Sequence, residues 1–165
     1  MPLIPQSTRK KTTVVGVGDP LLGDRGVGIL IAEALADHNL PPHVQVVDAR
    51  SAGDSLDSLF ANSDKVILID TADTPGEPGT IYRITPANPH DPAWASRLNY
   101  ASTTGVFAAW EDALKSGASP SLTIIAIKPE VIRPAAGLSK KAASAVPKVV
   151  QAVMAEVASE LDSDT

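Results

Sequence analysis

Short β-branched runs alternate along this chain with longer segments whose apolar residues recur every three or four positions. Thr12–Gly16 (TTVVG) reads as a first strand. Residues 27–39 follow with Ile29, Ile31, Ala32, Leu35 and Ala36 at helical spacing, closed by the breaker Pro41-Pro42. Val44–Asp48 is a second strand, and 51–60 a short helix through Leu56, Leu59 and Phe60. Residues 65–70 (KVILID) are apolar on both faces, as a central parallel strand requires. Residues 79–84 carry polar Thr80 and Arg83 and suit an edge strand. Pro86, Pro89 and Pro92 then exclude regular structure. A helix over 103–114, a buried strand over 122–127 and a long helix over 139–159 complete the pattern. Pro147, inside that last helix, predicts a kink or a break.

Strand–helix alternation of this kind predicts a three-layer α/β/α domain. Its sheet is mostly parallel, twisted and about five strands wide, with one candidate antiparallel edge. The 165 residues contain no repeat or linker, so 1–165 reads as one domain, with 1–11 a flexible arm. Hydrophobic residues make up 44% of the chain, enough for a sizeable core.

Composition narrows the chemistry. With no cysteine, thiolate metal sites, iron–sulfur clusters and cysteine nucleophiles are excluded, and only His38, His43 and His90 offer imidazole. A net charge of −5 lacks the basic face that nucleic acid needs. Arg9-Lys10-Lys11 reads as a solvated arm. No apolar run approaches a membrane span or a secretory leader, so no membrane partner and a cytoplasmic location are expected.

Ligand sites in open parallel sheets lie beyond the carboxyl ends of the strands. The first strand leads into Gly16-Val17-Gly18-Asp19-Pro20-Leu21-Leu22-Gly23-Asp24-Arg25-Gly26-Val27-Gly28. Leu21 occupies the place where a dinucleotide fingerprint needs its third glycine, and Asp19 and Asp24 would repel phosphate. Asp70 closes the buried strand, where a charge must find solvent or partners. It either caps the following turn or joins Asp19 and Asp24 in an oxygen-rich rim fit for acid–base or metal chemistry. Ser102, Thr103 and Thr104 read as N-caps, His90 as a solvated loop residue, and Trp94 and Trp110 as packing residues.

The 16–28 segment resembles the signature of nickel–iron hydrogenase maturation proteases, G-x-G-N-x-L-x-x-D-[DE]-x-x-G after the first strand. Three further stretches match in order: Ser51-Ala52-Gly53 with Leu56 and Leu59, then Val66 to Asp70 with Pro78-Gly79-Thr80. The last is Lys128-Pro129-Glu130 with Gly137-Leu138-Ser139. The resemblance implies an endopeptidase that trims a C-terminal extension from the hydrogenase large-subunit precursor. It further implies no permanently bound cofactor and a nickel ion of the substrate protein as the species sensed.

Carried over by position, the resemblance assigns catalytic or metal-sensing roles to Asp70, Asp24 and Asp19, with Asp70 the one retained nickel-sensing residue. Gly18, Arg25 and Ser102 fall at substrate-facing positions, Arg25 suited to a substrate carboxylate. Two positions depart from the pattern: Arg25 stands for the first-loop acid and Ser102 for the histidine. A guanidinium has no lone pair to offer a cation, and serine is a poor nickel ligand. A non-catalytic binding or assembly factor, or a protease with another substrate and no metal, is therefore carried beside the peptidase reading.

Overall fold

In the computed structural model, residues 11–52, 55–91, 97–98 and 100–162 are described, with side chains for all of these except 100–104 and 159–162. The strands are β1 (Thr12–Gly16), β2 (Val44–Asp48), β3 (Lys65–Thr71), β4 (Ile81–Ile84) and β5 (Ser121–Ile127). The helices are α1 (Val27–Ala36), α2 (Ala49–Ala52), α3 (Leu56–Ala61), α4 (Tyr100–Lys115) and α5 (Lys140–Asp162), with a 3-10 turn at Gly23–Gly26. Strand order is β2-β1-β3-β5-β4. The first four are parallel, and β4 pairs antiparallel to β5 as the edge that its polar residues suggest.

Successive strand residues face opposite sides of the sheet, and each side has its own core. Val15, Leu68 and Ile124 pack with Phe60 of α3 and Trp110 of α4 on one face. Val14, Ile67, Ile69 and Ile125 pack with Ile31 and Leu35 of α1 and Val149 and Val153 of α5 on the other. Burying each such side chain stabilises the fold by about 1.5–3 kcal/mol before entropy is counted. The expected α/β/α sandwich is the structure found.

Three expectations need correction. The break allowed for at Pro147 is not found: helix α5 runs unbroken from Lys140 to Asp162 with Pro147 inside it. Pro147 lies exposed, so water can satisfy the Ala143 carbonyl that proline cannot serve. Ser102, Thr103 and Thr104 are not N-caps, because α4 already begins at Tyr100 and they lie within its first turns. Short helices at Ala49–Ala52 and Leu56–Ala61 stand where one was expected. Trp94 and Gly53 lie outside the described residues.

Candidate active site at the carboxyl rim

The chain runs from β1 to β2 on one side and places β3 on the other side of β1. The crevice between the carboxyl ends of β1 and β3 is the switch point where such sheets bind ligands. Parallel register sets Gly16 beside Ile69, so the 16–28 loop and Asp70 leave the sheet at the same rim. The Val17 N–H extends the ladder to the Ile69 carbonyl at 2.9 Å. The glycines serve close backbone packing. A Cβ on Gly28 would lie 2.2 Å from the Val17 oxygen and 2.5 Å from the Ile69 oxygen. Gly18 has φ 148°, and its Cβ would meet the Arg25 carbonyl oxygen at 1.9 Å.

Asp70 is 1% exposed. Its Oδ1 accepts the Thr71 N–H at 2.7 Å, whereas Oδ2, also buried, has no hydrogen-bond partner among the described residues. Burial pushes its pKa up to about 7, partly offset by the Thr71 N–H and the positive charge of Arg25.

Asp24 has the opposite environment although it is 0% exposed. Its Oδ2 accepts from the Glu130 N–H at 2.9 Å, the Val131 N–H at 3.0 Å and the Ser139 hydroxyl at 2.8 Å. Its Oδ1 accepts the Ser139 N–H at 2.8 Å. Burial alone would raise its pKa, but these donors together hold it below the ordinary carboxylate value. Backbone bonds reinforce the clamp: Asp24 N–H to the Val131 carbonyl at 2.8 Å, and Ala135 N–H to that of Leu21 at 3.2 Å. The first loop is thereby fastened to the segment before α5. Ser139 and the amides of 130–131 are functional positions that sequence reasoning missed. The Pro-Glu and Gly-Leu-Ser stretches were visible, but not what they hold.

Asp19 turns its own loop. Its Oδ1 accepts the Leu21 N–H at 2.9 Å, and its N–H donates to the Arg25 carbonyl at 2.9 Å. Arg25 is partly buried and close enough to Asp70 to act on its charge. Residues 97–98 reach the same rim: Ala72, just past β3, bridges Leu98, and the Asp73 N–H donates to the Arg97 carbonyl at 2.8 Å. The Ser102 side chain lies outside the described residues.

The histidines are elsewhere. His38 contacts the Ala34 carbonyl at the far end of α1, and His43 precedes β2 at the amino end of the strands. His90, 73% exposed, contacts Glu111 at 3.2 Å, in keeping with a solvated loop residue. Trp110 is a packing residue whose indole N–H reaches the Pro120 carbonyl at 3.1 Å. Among the described residues, no three His, Asp or Glu side chains are grouped to hold a metal. No helix there is long and apolar enough to cross a membrane.

A family model described as hydrogenase maturation protease matches residues 29–156, a span that starts just after the 16–28 loop. The hydrogenase 2 maturation protease of Escherichia coli is 29% identical over 154 residues, covering 86% of this chain and 87% of its own. A solved hydrogenase maturating endopeptidase from Escherichia coli superposes with a TM-score of 0.80 at 27% identity, covering 90% of this chain and 93% of that one. A [NiFe] hydrogenase maturation protease from Thermococcus kodakarensis has a TM-score of 0.70 at 17% identity, covering 89% and 99%, and speaks for the fold alone.

Proposed function

We propose, from the premise that this chain belongs to the hydrogenase maturation protease family, that it is an endopeptidase using Asp70 to cleave a C-terminal extension from a hydrogenase large-subunit precursor. One observation carries the reading. Asp70 is a buried carboxyl at the switch-point rim, poised near neutral pH, with one oxygen that no described residue hydrogen-bonds. Such a group can take a proton from water as the water attacks the scissile carbonyl. It can then return that proton to the leaving amine as the C–N bond breaks.

Around it, Gly18 and Arg25 line the approach for the peptide backbone and a substrate carboxylate, and Ser102, in the opening turns of α4, is assigned to the substrate by its sequence position. Asp19 shapes the loop that carries Arg25. Asp24, expected from its position to react, serves here as a positioning residue, since both of its oxygens are taken by the 130–139 segment. The setting of this reaction is the cytoplasm.

A second reading, an assembly factor that binds the precursor without cutting it, draws on one fact. Of the three rim aspartates, Asp24 gives its oxygens to the 130–139 segment and Asp19 bonds within its own loop, and among the described residues Asp70 has no grouped carboxylate partners. Incubating the precursor with this protein and weighing it by mass spectrometry separates the two. Loss of a C-terminal peptide supports the peptidase, and stable association at full mass supports the assembly factor.

A further inference from the structure

The described residues of the rim do not fit a divalent cation. Nickel held by oxygen and nitrogen donors needs several lone pairs converging on one point. Of the first-loop carboxylates that could stand in for a missing acid, Asp24 is immobilised by four hydrogen bonds. Asp19 is turned back onto the Leu21 N–H. Asp24 cannot swing toward Asp70 without unmaking that clamp, and Asp19 would have to give up its turn-closing bond. Arg25 meanwhile sets a permanent positive charge beside Asp70. Position 102, on the first turn of α4, carries a hydroxyl rather than an imidazole.

We infer that this chain reads its client without a metal: the Arg25 guanidinium supplies, as a fixed part of the site, the positive charge beside Asp70 that a client-borne cation would bring. The inference rests on the reading of Asp70 as the working residue and changes what the site selects. A cation arriving with the client would be repelled by Arg25 and would find at Asp70 one carboxylate oxygen without a hydrogen bond among the described residues. A nickel-free client meets no such barrier, so the loading state of the client is not what this site discriminates.

Nickel chloride alone, titrated calorimetrically into the full chain, tests this without any client and hence apart from the processing assay. The parent is expected to show no one-to-one binding. Arg25→Glu combined with Ser102→His is expected to bind nickel at least about a hundredfold more tightly, because a repulsive charge is replaced by an attractive one within electrostatic reach of Asp70. Adding Asp70→Asn to that variant should abolish the gain. If the double variant does not fold, Arg25→Gln carries the same comparison, with a smaller gain. One-to-one nickel binding by the parent that Asp70→Asn removes would overturn the inference. So would a folded Arg25 variant with no gain over the parent.

Discussion

The carboxylate of Asp24 and the hydroxyl of Ser139, 115 positions apart in the chain, meet at 2.8 Å. That hydroxyl also accepts the Ala142 N–H at 3.2 Å and so caps α5. One contact thus joins the loop that bears Arg25 to the start of the longest helix.

This coupling predicts the outcome of a double-mutant cycle. Asp24→Asn leaves buried amides facing a neutral group and should cost about 3 kcal/mol in urea unfolding. Ser139→Ala, which removes the cap and one donor, should cost about 1–2 kcal/mol. The two should fall short of additivity by at least about 0.5 kcal/mol. Strict additivity would show that the two side chains do not share one network.

Asp70 and Asp24 should act on stability in opposite directions with pH. The folded-state pKa of Asp70 is raised from 3.8 to about 7, so folding takes up a proton between those values. Its contribution is fully present below pH 3.8 and is lost as pH rises toward 7 and beyond, by on the order of 4 kcal/mol in all. Asp70→Asn should therefore be more stabilising at pH 8 than at pH 5. Asp24 has a lowered pKa, so its contribution holds at neutral pH and is lost as pH falls through its folded value. Chemical denaturation of both variants at several pH values tests the two signs.

Much of the fold was legible because periodicity reports directly on burial. KVILID reads as a central strand since both of its faces are covered, and IYRI reads as an edge since Arg83 is exposed. Asp70 stood out as a charge ending an apolar run. The Asp24 clamp did not, because its donors are mostly backbone amides, which every residue carries and no side-chain pattern marks. The N-cap expectation at Ser102 failed for a related reason: hydroxyl residues favour caps on average, but here the helix already starts at Tyr100.

Two glycine substitutions separate close packing from conformational freedom. Gly28→Ala would drive a methyl into two backbone oxygens and should cost about 3 kcal/mol or more. Gly105→Ala, exposed within α4 with nothing within 4 Å of its Cβ, should stabilise by about 0.5–1 kcal/mol. Thermal melts of the pair check both, and equal effects would contradict the packing assigned to the first loop.

The central claim is that Asp70 performs the cleavage. The most direct measurement is mass-spectrometric processing of the hydrogenase large-subunit precursor by the parent and by Asp70→Asn, with circular dichroism establishing that both are folded. The account predicts that the parent releases a C-terminal peptide and that Asp70→Asn, folded and more stable at pH 8, leaves the precursor at full mass. Processing by Asp70→Asn at the parental rate would contradict it.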